Sequence, residues 1–160
     1  MPLRVAVITV SDSSFQGTRA DKSGPAVVER CKSLGWEAGP PEVLPDDQAL
    51  LESRLTELAD SDSFDLVLTT GGTGVSPRDV TPEATMAVCK KLLPGLGEVM
   101  RTKGREKTPR AVLSRAVAGV HARALIVNLP GSPKGAVDSL DAVSDVLPHT
   151  IEALRGARHD

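Results

Sequence analysis

The sequence predicts an α/β fold, a mostly parallel sheet covered by helices, and three observations carry that expectation. Branched apolar runs such as Arg4–Val10 and residues 65–70 show no polar alternation, as strands buried on both faces do. Stretches with apolar residues at helical spacing follow each run. Strand and helix patterns therefore alternate along the chain, the order a parallel sheet with crossover helices requires.

The 160 residues suit one domain, 1–160, with a single core. Aromatic residues make up 2% (Phe15, Trp36 and Phe64), so the core must be aliphatic and stacking platforms for single-stranded nucleic acid are not expected. A net charge of −2 likewise speaks against a nucleic-acid surface. Cys31 and Cys89 lack the neighbouring Cys and His of a zinc site and read as small buried hydrophobes. No signal-like segment and no stretch of membrane-spanning length stands out, so a cytoplasmic location without membrane contact is expected.

Taken in order, Arg4–Val10 is the first strand, followed by a polar loop from Ser11 to Lys22. A helix then opens with Ser23 as cap and Pro25 in its first turn, carries Val27, Val28, Cys31 and Leu34 inward, and stops at Gly35. Residues 36–44 read as a weak strand, interrupted by Gly39-Pro40-Pro41 and therefore placed near an edge. Pro45-Asp46-Asp47 starts a second helix with an apolar stripe of Leu50, Leu51, Leu55 and Leu58. After the strand at 65–70, a third helix is expected over 81–91, with Thr81 as cap and Lys90-Lys91 at its C-terminal end. Residues 94–115 read as one or two helices broken near Lys107-Thr108-Pro109. Two strands, 115–120 and 124–128, turn at His121-Ala122-Arg123 and would form an antiparallel pair. The last helices run over 136–154, and the polar residues 155–160 are expected to fray.

Three strands end in polar sequence: Ser11-Asp12, Thr69 to Asp79, and Asn128 to Lys134. In a parallel sheet those ends share one edge, where open α/β proteins bind ligands. Taken singly, each is an ordinary turn; together they point to one site. The familiar phosphate motifs do not account for it. No Lys-Ser/Thr follows Gly74, Gly95-Leu96-Gly97 lacks a third glycine, and no GxSxG is present. Asp46 and Asp79 each precede a helix, where an acid favours the dipole. Two carboxylates beside a phosphate loop are also suited to share Mg²⁺. Lys134 and the basic residues of 101–110 are candidates to clamp an anion, although a solvated helix face explains most such runs. Glu98 is either a ribose or base-edge contact or a first-turn acid.

The ordered series Thr69-Thr70-Gly71-Gly72-Thr73-Gly74, Arg78-Asp79-Val80-Thr81-Pro82-Glu83-Ala84, Pro94-Gly95-Leu96-Gly97-Glu98 and Asn128-Leu129-Pro130-Gly131-Ser132-Pro133-Lys134 resembles the Mog/MoaB family of molybdenum cofactor biosynthesis. Ser11-Asp12, Asp21-Lys22-Ser23-Gly24 and Leu44-Pro45-Asp46-Asp47 fit as well, so the resemblance spans nearly the whole chain. It implies a three-layer α/β/α sandwich forming homotrimers or hexamers, and a molybdenum-insertion enzyme as a downstream partner. It implies transfer of AMP from ATP, with Mg²⁺, to the terminal phosphate of molybdopterin. On this resemblance Asp46 and Asp79 are the catalytic and metal-holding residues. Ser11, Asp12, Gly71, Gly72, Thr73, Gly74, Ser76, Gly95, Gly97, Glu98, Asn128, Pro130, Gly131, Ser132 and Lys134 contact nucleotide or pterin. A non-catalytic molybdopterin- or nucleotide-binding oligomer is the alternative, and the presence of both aspartates favours the enzyme.

Overall fold

Strands β1 (Arg4–Val10), β4 (Leu66–Thr70) and β7 (Ala124–Leu129) lie side by side and parallel at the centre of a computed structural model that describes residues 2–156. The seven-stranded sheet runs β2-β1-β4-β7-β6-β5. β2 (Glu37–Ala38) and β3 (Glu42–Leu44) both pair parallel with β1, one at each end of it. They are the two halves of the interrupted edge strand, separated by the prolines, which have no donor for a ladder. β6 (Ala118–His121) and β5 (Lys91–Leu92) close the other edge antiparallel, with Ala122 at φ +52° in the tight turn to β7.

Alternate residues of the central strands feed two cores. Val5, Val7, Leu66, Leu68, Leu125 and Val127 face helices α2 (Ser23–Ser33), α5 (Pro94–Arg105), α6 (Pro133–Val143) and α7 (Leu147–Leu154). Ile8, Val10, Val67 and Ile126 face α3 (Gln48–Asp60) and α4 (Thr81–Val88). The result is the three-layer α/β/α sandwich, and burial on both faces explains why these strands carry no polar alternation.

Several local expectations are corrected. A short helix, α1 (Asp12–Phe15), stands where a loop is expected; Ser11 caps it by accepting the Ser14 N–H at 3.2 Å. Ser23 is the first residue of α2 and makes no cap; Lys22 precedes it. Leu50 is exposed while Leu51, Leu55, Leu58 and Ala59 are buried, so the stripe on α3 is rotated from the expected one. α4 ends at Val88, not Lys91, because Lys91 is recruited as a strand by Val120. Thr81 likewise does not cap α4: its hydroxyl donates to the Gly71 carbonyl at 2.9 Å. The break near Lys107 is real, with a 3₁₀ turn over Pro109–Leu113 after α5. Arg155, expected to fray, donates to buried Asp65, which also takes the Arg4 side chain and backbone N–H; residues 157–160 lie outside the described residues. Among the described residues no helix is long and apolar enough to cross a membrane.

Candidate active site

The parallel register brings Thr9, Thr70 and Leu129 level, so the loops after β1, β4 and β7 emerge at one edge. The loop after β4 turns sharply at Gly71 and Gly72, with φ +102° and +70°. A side chain at Gly71 would collide with the Val10 carbonyl of the neighbouring strand, so glycine is required by both conformation and space. The turn is tied down on every side. Thr70 Oγ1 donates to the Pro130 carbonyl at 2.7 Å, Gly71 N–H to Leu129 O at 3.1 Å, and Thr81 N–H to Gly72 O at 3.1 Å.

Beyond it, Arg115 holds the segment that ends in Asp79. Its backbone N–H donates to Thr73 O (2.9 Å), Nε to Gly74 O (2.7 Å) and Nη2 to Asp79 O (2.9 Å). Glu83 anchors the same guanidinium, at 2.6 Å, and is held below the usual carboxylate range by it. The Asp79 carboxylate accepts the Ser76 N–H through Oδ2 at 2.9 Å. Its Oδ1 accepts no hydrogen bond among the described residues.

Two cavities meet over this loop. One, of about 470 Å³, lies between the 3₁₀ turn with the end of α5 and the start of α6. The other, of about 640 Å³, lies over the ends of β1 and β4 beside Ser11, Asp21 and Asp46. Gly72, Asp79, Gly131 and Ser132 line both. Volumes in this range accommodate nucleotide-sized ligands. Asp46 reaches the second cavity with Oδ2 held by the Asp12 N–H at 3.0 Å and Oδ1 free of hydrogen bonds among the described residues. Burial pushes its carboxyl upward, and the charges of Asp12 and Asp79 add to this against the Asp12 N–H and Arg78. Such a group favours a cation beside it. Among the described residues no cluster of three or more His, Cys, Asp or Glu is placed to hold a metal. Two carboxylates with open oxygens nevertheless fit Mg²⁺, which takes one or two protein carboxylates and completes its shell with phosphate and water.

Of the expected contact residues, Ser11, Gly71, Gly72, Thr73, Gly74, Pro130, Gly131 and Ser132 line one or both cavities, together with Asp46 and Asp79. Seven do not. Asn128 is fully buried and used as a strut, donating to Thr69 and Thr85 Oγ1 at 3.0 and 2.9 Å and accepting the Val117 N–H. Asp12 gives its oxygens to Arg78 and the Asp46 N–H, and Arg78 holds its carboxyl below the usual range. Ser76 is exposed, with its hydroxyl accepting the Arg78 N–H. On α5, Gly95 and Glu98 are exposed, whereas Gly97 packs against the Ala116 carbonyl and Arg101. Glu98 borders a separate depression with Arg105 and Val112. Lys134 is exposed in the first turn of α6, outside both cavity walls.

Arg115, Arg78 and Asp21 are not among the expected site residues, although Arg78 and Asp21 stand in runs that carry the resemblance. Asp21 accepts from Thr9 Oγ1 (2.8 Å) and the Gly24 N–H (3.0 Å) at the rim of the larger cavity. The Asp21-Lys22-Ser23-Gly24 run is a usable signal for it, whereas nothing local marks Arg115. Part of the basic stretch reaches a cavity: Arg101, Lys107 and Arg110 line the smaller one, where Lys107 bridges to Asp138 at 2.9 Å. Both thiols are chemically quiet, with burial pushing Cys31 up to about 12 and Cys89 to about 11.

Comparison with known proteins places this arrangement among relatives. Residues 6–149 match a family model described as "Probable molybdopterin binding domain". A molybdopterin adenylyltransferase of Helicobacter pylori (strain J99) is 40% identical over 156 residues, covering 96% of this chain and 89% of the relative. That of Escherichia coli K12 is also 40% identical, covering 96% and 86%. The crystal structure of the molybdopterin biosynthesis enzyme MoaB from Thermus thermophilus superposes with a TM-score of 0.90 at 48% identity, covering 96% of this chain and 97% of that one.

Proposed function

The chain belongs to the molybdopterin-binding domain family and acts in molybdenum cofactor biosynthesis as an adenylyltransferase on molybdopterin; from that premise we propose that Asp46 and Asp79 organise AMP transfer from ATP. The observation that carries this reading is their shared cavity, each with one carboxylate oxygen open, beside the Gly71-Gly72 turn. The terminal phosphate of molybdopterin is the nucleophile. Its oxygen bonds to the α-phosphorus of ATP, the bond from that phosphorus to the bridging oxygen breaks, and pyrophosphate leaves. No side-chain nucleophile is required, consistent with the absence of an activated Cys.

Mg²⁺, held by Asp46 and Asp79, supplies charge neutralisation on the triphosphate when bound. The protein's own part is positioning. The backbone at Gly71 to Gly74 admits close approach of a phosphate or ring because no Cβ intervenes. The start of α6, through Gly131 and Ser132, presents a helix N-terminus to both cavities. Arg101 and Arg110 add cationic character to the smaller one, where Lys107 is paired with Asp138. Catalysis then rests on orientation and fixed electrostatics. The reading includes a single domain working in the cytoplasm as a homotrimer or hexamer, with product passed to a molybdenum-insertion enzyme.

Purified protein incubated with molybdopterin, Mg²⁺ and ATP labelled at the α-phosphate is expected to form labelled adenylyl-molybdopterin and stoichiometric pyrophosphate. Binding of both substrates without transfer would overturn the catalytic reading in favour of a binding oligomer.

A further inference from the structure

Asp12 and Asp46 exchange hydrogen bonds reciprocally. The Asp46 N–H donates to Asp12 Oδ1 at 2.9 Å, and the Asp12 N–H donates to Asp46 Oδ2 at 3.0 Å. The exchange joins the loop after β1 to the loop after β3 and leaves only Asp46 Oδ1 to face the glycine turn. The same Asp12 carboxylate is gripped in a fork by Arg78, Nε to Oδ2 at 2.9 Å and Nη2 to Oδ1 at 3.0 Å. Arg78 directly precedes Asp79. One guanidinium therefore ties the segment carrying Asp79 to the carboxylate that orients Asp46, and three strand-end loops are fastened at a single point.

An exposed ion pair is ordinarily worth little in stability, and Arg78 is 65% exposed on its side chain. This one differs in where its ends lead. Both oxygens of Asp12 are spent on the link, the residue lines neither of the two cavities, and without Arg78 the acid would add an unpaired negative charge beside Asp46. Fork-shaped pairing also transmits geometry, which a single point charge does not.

We infer that Asp12 and Arg78 are positioning residues that set the placement of Asp46 relative to Asp79 through this reciprocal hydrogen-bond exchange and two-pronged ion pair. The inference rests on the adenylyltransferase reading, and it removes Asp12 from the ligand-contact set that the family resemblance implies.

The test uses the full chain as wild type, Arg78→Met, Arg78→Lys, Asp12→Asn and the Asp12→Asn/Arg78→Met double variant. Three quantities are measured: kcat and KM for ATP in AMP transfer, thermal midpoint, and hydrogen exchange at the Asp12 and Asp46 amides. Arg78→Met is expected to lower kcat about 10- to 100-fold, the scale of a small misplacement of reacting groups, with KM changed less than about threefold. Its Tm should move by no more than about 4 °C. Exchange at the two amides should rise about tenfold while β1 and β4 amides stay unchanged. Arg78→Lys should recover part of the rate, and the double variant should be no slower than its slower parent. A rate for Arg78→Met within twofold of wild type, unchanged amide exchange, or losses that multiply in the double variant would each overturn the positioning role. A wild-type protein that transfers no AMP would instead overturn the adenylyltransferase reading, and the exchange measurement would still decide whether Arg78 holds Asp12 against Asp46.

Discussion

Asp79 and Asn128 are both polar residues beside a glycine-bearing loop, yet their substitutions should fail in opposite ways. Asp79 is partly exposed, with one oxygen on a turn N–H and the other open. Asp79→Asn retains an acceptor for Ser76, so thermal unfolding should match wild type while AMP transfer falls by about 100-fold or more. An unchanged rate in the labelled-ATP assay would remove Asp79 from the site. The Asn128 side chain makes three hydrogen bonds, the two to threonine hydroxyls fully buried. Asn128→Ala strands the Thr69 hydroxyl and the Val117 N–H and takes a donor from Thr85, whose hydroxyl keeps the Thr81 carbonyl, and should cost about 2–4 kcal/mol in urea unfolding. In sequence the two look alike. What separates them is that Thr69 and Thr85, 59 and 43 positions from Asn128, close around its amide, and no local pattern reports such neighbours.

At the scale of elements, the loop from Gly71 to Asp79 is legible as a special turn, because two glycines and several hydroxyls after a buried strand leave few conformations open. The device that holds it is not legible. Arg115 stands 41 positions from Gly74 and 36 from Asp79, in what reads as the start of a strand that in fact begins at Ala118. Arg115→Met should leave Glu83 unpaired and free the loop, lowering AMP transfer about tenfold or more, with faster hydrogen exchange at Thr73 to Asp79 as the direct check. A second clamp works at the far end of the sheet. Burial alone would push Asp65 up, but the Arg4 side chain and N–H and the Arg155 charge outweigh it and hold the carboxyl below its ordinary value. A carboxylate with a lowered folded pKa contributes stability in full above its unfolded value, about 3.9, and loses it as pH falls through the folded one. Asp65→Asn should therefore flatten the decline of the urea midpoint below about pH 4, measured against wild type. An equal slope in both proteins would count against the clamp.

At the scale of the whole molecule, the surface carries large apolar side chains that a single chain does not cover, among them Val75 at 75%, Leu113 at 56% and Val112 at 52% exposed. Such residues suit the homotrimer or hexamer proposed for the working enzyme. Light scattering at micromolar concentration should return the mass of three or six chains; a monomer would oppose the assembly. What the amino-acid order determined by itself was the fold class, the central strands, the antiparallel return at one edge and the loop cluster with its two aspartates. Those features follow from short-range chemistry: burial on both faces, the missing donor of proline, the freedom of glycine. Only the tertiary structure decided which polar residues of that cluster face the cavities. Asp12, Asn128, Glu98 and Lys134 turn elsewhere, and Arg78 and Arg115 enter as clamps, because a side chain's role here depends on partners brought together by strand register across more than thirty positions.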